Sequence, residues 1–311
     1  MDKHHSLDKH RHRKGNGIVN VLSLFDGISC GMVALERVGI KVNRYVAYEV
    51  DDNAIKVSRN NYSNIERRGD VFEGDYTKFK GFDLLIGGSP CTHWSINKKD
   101  RETTSEGVGF QLFSQYARAL KESECKYFLY ENNHKIHQDI QNEITNALGV
   151  EPILINSSLV SAQQRFRLYW TNIPNVKQMN DYKIHLKDII DYSVEQENLI
   201  QETKFNGNYS LGREDKPLRI GIIGKGGQGE RVYSVSGKVI NLTANGGGRG
   251  AKTGLYLIGD SVRKLTPIEA ERAQTLPDNY TEGVSNTQRY KGIGNGWTVD
   301  VITHIFKGLK Q

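Results

Sequence analysis

From Ile18 to about Pro174 the chain alternates short, apolar, β-rich runs with stretches of helical periodicity. "IVNVLSLF" is followed by "CGMVALERVG", with Met32, Leu35, Val38 and Ile40 at roughly helical spacing. "RYVAYEV" leads into "DNAIKVSRNNY". "FDLLIGG" precedes "FQLFSQYARALKE", which sets Leu112, Phe113, Tyr116 and Leu120 on one face. "KYFLYEN", "QDIQNEITNALG" and "PILINSSLV" continue the pattern. Such alternation predicts an α/β fold, a mainly parallel sheet with helices on both faces. It also tells where chemistry should sit, because ligands of open α/β sheets bind outside the carboxyl ends of the strands.

Beyond about Asn175 the texture changes. Glycine clusters, "GKGGQGE" and "NGGGRG", separate short β-like pieces such as "RVYSVSGKVINLT" and "GLYLIG". This predicts a smaller, loop-rich second domain, in which glycine lets backbone approach a ligand closely. The reading as plain surface hairpins stands beside it. "TPIEAERAQTLP" opens with a capping threonine and a proline at the first helical position. "WTVDVITHIFKGLK" is amphipathic through Val299, Ile302 and Phe306 and should pack back on the first domain. The expected division is a tail over 1–17, a catalytic and cofactor-binding domain over 18–174, a second domain over 175–287 and a returning segment over 288–311. The tail holds His4, His5, His10 and His12. It reads as a disordered extension or an expression tag.

Composition narrows the function classes. No apolar run among the 311 residues approaches the length that spans a bilayer, and the N-terminus has no signal-peptide core. The three cysteines, Cys30, Cys91 and Cys125, form no CxxC pair, so neither a zinc site nor a disulfide framework is expected. Few cysteines and no export signal favour a reducing cytoplasm. A formal net charge of +6 suits a polyanionic partner such as nucleic acid.

"LFDGISCG" follows the first strand and opens a helix. Gly27 permits a tight turn, and Gly31 lets the helix pack close to the sheet. The loop lacks the GxGxxG triple that meets a pyrophosphate and carries Asp26 instead. A carboxylate there repels phosphate and suits a cationic ligand. Glu49, at the end of "YEV", is placed to hold ribose hydroxyls, and "GDY" adds a third acid, Asp75. A nucleoside with a positive centre and no phosphate fits this set, and S-adenosylmethionine is such a molecule.

A lone cysteine at a strand end is more often packing than chemistry. At Cys91 the context is different. Gly87 and Gly88 end the strand in an exposed turn, Pro90 stiffens the preceding residue, and "THWSINKKDRETTSEGVG" resembles a mobile loop. A nucleophilic thiolate needs an acid or base partner. "LYENN" brings Glu131 and Asn132 to the same sheet edge, and "QQRFR" brings Arg165 and Arg167 just past another strand.

The ordered set "LFDGISCG", "YEV", "GD", "GGSPC", "EN", "QQRFR", "RKLTPIEAERAQTLPDNY" and "YKGIGNGWTVDVI" resembles the cytosine-C5 DNA methyltransferases. "FDLLIGGSPC" and "SAQQRFRLYWTNIP" are most like the animal de novo enzymes. The glycine-rich segment is more like the target-recognition domain of bacterial and phage ones. The resemblance implies a Rossmann-like, S-adenosylmethionine-dependent methyltransferase sheet and a double-stranded DNA substrate. It implies that Cys91 attacks C6 of a flipped-out cytosine. Glu131 would meet N3, Arg165 would hold O2 and orient Glu131, and Arg167 would support them. Phe25 would stack on adenine, Glu49 would hold the ribose and Asp75 would meet the adenine amine. Asn295 and Trp297 would close the methionine end, while Ile28, Val50, Tyr76 and Pro90 complete the cofactor set. Ser95 would lie near the flipped nucleotide's backbone. Two departures stand out: Asn133 where the family usually has valine, and Ser23 where bacterial members usually have aspartate.

Arg213, Arg219, Arg231, Arg249 and Lys252 are candidates for phosphate or guanine contacts, each equally readable as solvated loop charge. An RNA enzyme of the same fold, an inactive nucleic-acid-binding paralogue and an unrelated nucleoside-binding protein are the competing readings. The recognition sequence and a cognate restriction endonuclease stay open, and a monomer is expected.

Overall fold

A computed structural model of the chain describes residues 18–94, 100–194, 212–244 and 249–310. The histidine-rich tail lies outside them. The strands are β1 (Ile18–Leu24), β2 (Lys41–Tyr48), β3 (Glu66–Arg67), β4 (Leu84–Gly87), β5 (Tyr127–Asn133), β6 (Ile153–Asn156) and β7 (Phe166–Thr171). They form one seven-stranded sheet in the order β3-β2-β1-β4-β5-β7-β6. The first five in that order run parallel, while β7 is antiparallel to both β5 and β6. The sequence pattern leaves β7 unmarked as a strand. Its reversed direction brings its first residues, not its last, to the carboxyl edge of the parallel strands. That is why Arg165 and Arg167 reach the same edge as Glu131.

Helices α1 (Cys30–Val38), α2 (Asp52–Asn61), α3 (Val108–Ser123) and α4 (Gln138–Leu148) alternate with the strands as the periodicity predicts. Side chains of the sheet divide by parity, since successive strand residues point to opposite faces. Val21, Tyr45, Ala47, Leu84, Ile86, Leu129 and Tyr169 share a core with α1, α2 and α7 (Val299–Phe306). Leu22, Leu24, Val46, Tyr48, Leu85, Phe128, Tyr130, Leu168 and Trp170 share the other with α3 and α4. The C-terminal helix thus returns to the sheet, lying against α1.

A second sheet, in the order β11-β10-β9-β8, joins β8 (Arg219–Ile222), β9 (Arg231–Ser234), β10 (Leu255–Ile258) and β11 (Ser261–Arg263). A third core seats it. Tyr233, Val239, Leu242 and Tyr256 pack with Ala270 and Ala273 of α5 (Pro267–Ala273) and Tyr290 and Ile293 of α6 (Asn286–Asn295). Thr266 caps α5 in a reciprocal box with Glu269, as "TPIE" predicts. Glu269 in turn pairs with Arg263 at 2.7 Å, both fully buried.

Buried polar groups fasten the two sheets together. Gln163, with no exposed surface, accepts from the Leu242 amide and donates to Ala273 O and Gln274 Oε1. Gln274 donates to the Ile293 and Gly296 carbonyls and accepts from Thr298, which is bonded to Ser157. Lys238 buries its ammonium against the carbonyls of Ser158, Ser161 and Ile184. Each partner left alone in such a network costs about 1–3 kcal/mol. Gln163→Leu, which strands the Leu242 N–H and leaves Gln274 Oε1 with the Thr298 hydroxyl as its donor, should therefore lower the unfolding free energy by about 1–3 kcal/mol in urea titration.

Candidate active site

One cavity of about 490 Å³ runs along the carboxyl edge of the large sheet. At one end lie Phe25, Gly27, Glu49 and Val50, after β1 and β2. At the other lie Pro90, Thr92, Glu131, Arg165 and Arg167, after β4, β5 and at the start of β7. Ile28, Gly31, Asn295 and Trp297 line the space as well.

The first loop is bent by three left-handed residues, Phe25 (φ 57°), Gly27 (φ 57°) and Ser29 (φ 62°). For a residue with a side chain that conformation costs about 1–2 kcal/mol, so the surroundings must hold it. They do so through Asp26. Its buried carboxylate accepts from the hydroxyls of Ser23, Ser29 and Tyr45. Ser29 is bonded to Ser58, and Ser58 to the guanidinium of Arg67. Burial raises the Asp26 carboxyl above its usual range, against the hydroxyl bonds. At Gly31 a Cβ would sit 2.4 Å from Ile86 Cδ1, so only glycine lets α1 approach the sheet this closely.

Glu49 receives three backbone donors: Gly27 N–H at 2.7 Å, and Val50 and Asp51 N–H at 2.8 Å each. Burial nonetheless raises its carboxyl too. Val50 is 67% exposed at the cavity mouth. The third acid is corrected by the structure. Asp75 lies outside the cavity, bonded to Thr77 and paired with Lys78 at 3.4 Å, and Tyr76 is buried in the core with its hydroxyl on the Val71 carbonyl. Asp70 and Phe72 line the cavity in their place. The segment "RRGDVFEGDY" contains two Gly-Asp pairs, and it is the first that reaches the site.

The thiol loop is fixed from below. Ser89 Oγ bonds Tyr130 OH at 2.6 Å, and Asn132 Nδ2 donates to the Ser89 carbonyl and to Tyr130 OH. Cys91 begins a single 3-10 turn between two cavity-lining residues, Pro90 and Thr92. The described residues on either side of 95–99 are anchored. Trp94 is fully buried, and Glu102 closes the span by pairing with His93 at 3.0 Å and accepting from the Gly109 amide. Ser95 lies outside the described residues. The other two cysteines are poor nucleophiles: burial pushes the Cys30 thiol up to about 12 and that of Cys125 up to about 11.

Glu131 is held from two sides. Arg167 Nε lies 2.9 Å from Oε1, and Trp297 Nε1 donates to Oε2 at 3.0 Å. The ion pair follows from register. Arg167 pairs with Asn133 across β5 and β7, which makes Glu131 its diagonal neighbour on the same face. At Gly88 a Cβ would sit 2.9 Å from the Glu131 backbone oxygen, which cannot easily give way, so glycine suits this approach of the two strand ends. Arg165, expected to orient Glu131, does not do so. Its guanidinium donates to Asn241 Oδ1 and the carbonyls of Leu242, Gly294 and Gly296. Asn133 keeps to the backbone, its Oδ1 accepting from the Lys135 amide.

On the second sheet, Gly250 N–H donates to Gly229 O at 2.9 Å. This draws the segment carrying Arg249 and Lys252 beside the one carrying Arg231. Arg213 is set apart, its guanidinium forked onto Asp215 at 2.6 Å and 3.0 Å. Arg219 opens β8, opposite Tyr233. Residues 245–248 of the second glycine run are outside the described residues.

A strained loop, an acid bound by three amides and the turn carrying Cys91 meet at one sheet edge, and the class of protein is a transferase of α/β architecture. Residues 19–311 match the C-5 cytosine-specific DNA methylase family, and the chain belongs to it. It is similar to the type II methyltransferase M.HhaI of Haemophilus parahaemolyticus, 31% identical over 91% of this chain and 92% of that protein. It is also similar to the orphan methyltransferase M.SPRI of Bacillus phage SPR, 24% identical over 94% of this chain and 98% of that one. In fold it matches the Entamoeba histolytica methyltransferase EhMeth with a TM-score of 0.73 at 18% identity, covering 94% of this chain and 99% of that one. The protein is a DNA cytosine-5 methyltransferase and its cofactor is S-adenosylmethionine. No helix among the described residues is long and apolar enough to cross a membrane.

The cavity suits that cofactor. Gln288 Oε1, in its wall, is buried without a hydrogen-bond partner, an acceptor waiting for a donor such as an amine or a ribose hydroxyl. No glycine triple is present for a pyrophosphate, and the lining carries the carboxyl groups of Asp26 and Glu49 instead. Gln288 and Lys291 carry no signature in sequence beyond their spacing from Asn295 on one helical face.

The raised carboxyl of Asp26 has a consequence for stability. Its protonated form is favoured in the fold, so its contribution is full below the ordinary aspartate pKa and is lost as pH rises through the raised value. In urea titrations from acid to neutral pH, Asp26→Asn should gain stability relative to the unsubstituted protein as pH increases.

Proposed function

We propose that this cavity carries out methyl transfer to a cytosine flipped out of double-stranded DNA, with Cys91 as nucleophile. The observation that carries the reading is Glu131, fixed between Arg167 and Trp297 beside the Pro90–Thr92 turn. The Cys91 thiolate adds to C6 of the ring, and Glu131 shares its proton with N3 as electron density moves towards C5. Arg167 holds Glu131 and is placed for the base's O2. Arg165 acts one step back, fixing the Gly294–Trp297 turn that delivers Trp297. The bound cofactor supplies an electrophilic methyl group. A base then takes the C5 proton, the C6–S bond breaks, and the thiolate is regenerated.

For the cofactor, Phe25 serves adenine, Glu49 the ribose and Asp26 the positive charge. Gly27, Ile28, Gly31, Val50, Pro90 and Asn295 form the walls, and Asp70 takes the place expected for Asp75. The region 175–287, with Arg231, Arg249 and Lys252 drawn together, is read as the target-recognition domain. The catalytic domain is 18–174, and 288–311 returns to it. The enzyme acts as a monomer in the cytoplasm. One similar protein is a type II methyltransferase and another an orphan, so a cognate endonuclease is a matter for genome context.

Purified enzyme with labelled cofactor should methylate duplex DNA and leave transfer RNA unlabelled. Duplex carrying 5-fluorocytosine should trap a covalent complex in denaturing gels, and Cys91→Ser should lose both adduct and turnover. No incorporation into DNA by cofactor-binding protein would overturn the reading. Arg167→Lys keeps the charge and loses the planar guanidinium whose Nε lies against Glu131. It should lower kcat by about tenfold to a hundredfold, as expected for a mispositioned acid–base group, with the cofactor KM little changed.

A further inference from the structure

The wall of the cavity facing Glu49 is α6. Gln288, Lys291 and Asn295 stand at i, i+3 and i+7 of that helix, on one face, and all three line the cavity. Lys291 crosses to the opposite wall, with Nζ 2.5 Å from Asp51 Oδ2. The other Asp51 oxygen caps α2 by accepting from the Asn53 and Ala54 amides. The Asp51 amide donates to Glu49 Oε1. A continuous polar chain therefore joins α6 to the carboxylate that serves the ribose. A separate bond, Asn61 Nδ2 to the Tyr280 carbonyl, ties the far end of α2 to the segment before α6.

We propose that Lys291 is a positioning residue for S-adenosylmethionine, setting Glu49 through Asp51 and so fixing the span between the ribose end of the cavity and the Asn295–Trp297 end. The inference rests on the cavity being the cofactor site. The charge state agrees. Burial works to raise the Asp51 carboxyl, but the bond to Lys291, the α2 amides and the lysine charge together hold it below its usual range. The pair is partly open to solvent, at 39% and 26% exposure. Its effect is therefore that of a partly exposed ion pair, about twofold to fivefold in an equilibrium constant.

The test uses the full chain with duplex DNA. Lys291→Met breaks the pair. Asp51→Asn removes the charge while keeping a good helix cap. Both should raise the cofactor KM and its dissociation constant by about twofold to fivefold, with the double variant no worse than either single one. The smaller share of the loss should fall on kcat and on the DNA KM. Lys291→Arg should recover most of the affinity. Added salt should raise the cofactor KM of the unsubstituted enzyme and leave that of Lys291→Met nearly flat. An unchanged cofactor KM overturns the proposal. So does a loss shared equally by kcat, both KM values and Tm that arginine fails to rescue, because that marks a general packing role. Failure of the unsubstituted protein to bind S-adenosylmethionine at all is a different result, and it overturns the cofactor reading beneath.

Discussion

One guanidinium joins three parts of this enzyme. Arg165 stands just before β7, yet its donors are spent on Asn241 and Leu242 of the second-sheet region and on the Gly294 and Gly296 carbonyls after α6. Four carbonyl-type acceptors converging from two segments would be an expensive arrangement without a cation between them. The Gly294–Gly296 turn sets the direction of Trp297, and Trp297 donates to Glu131. The seating of the second sheet, the wall of the cavity and the position of the Glu131 carboxyl therefore meet at one buried side chain. Gln163 and Gln274 repeat the connection a few residues away, between the same segments. That redundancy makes the junction rigid.

Trp297 gives the two halves of the cavity a shared wall. Sequence resemblance places it at the methionine end, and its indole does sit over Gly31, where an added Cβ would meet Trp297 at 3.6 Å. Its N–H, however, belongs to Glu131. Glu131 is thus oriented by a residue of the cofactor site on one side and by Arg167 on the other.

Much of this was legible in the sequence, for identifiable reasons. Period-two apolar runs ending in glycine or acid mark strand ends, and strand ends of a parallel sheet are where ligands bind. That logic singled out Glu49, Cys91 and Glu131, and the structure brings Glu49 and Glu131 to one cavity. It failed where two local patterns were equivalent or where direction mattered. Gly69-Asp70 and Gly74-Asp75 look alike, and only packing decides: Tyr76 is claimed by the core against Tyr48 and Arg118, which turns Asp75 outward. Arg165 and Arg167 are two residues apart, but their roles depend on the antiparallel register of a strand that apolar content alone did not flag. Trp94 sits in a polar stretch that reads as mobile loop, and burial of its ring shows that the start of that stretch is anchored. Gln163, Gln274 and Lys238 were not legible as a junction, because their partners are carbonyls and amides far away in sequence.

The departure at Ser23 shows how a site can keep its charge while changing its letters. Where bacterial relatives usually carry an aspartate, this chain has a hydroxyl, and the carboxyl appears three residues later, at Asp26. The two side chains are bonded at 2.6 Å and line the same cavity. The hydroxyl has become a donor to the displaced acid, together with Ser29 and Tyr45. A carboxylate so deeply buried would be costly without those three donors and the Arg67 charge behind them. Their presence explains why Ser29 accepts a left-handed conformation and why Ser58 is buried on α2. The carboxyl at this turn is therefore supported by hydroxyls drawn from β1, β2 and the turn into α1.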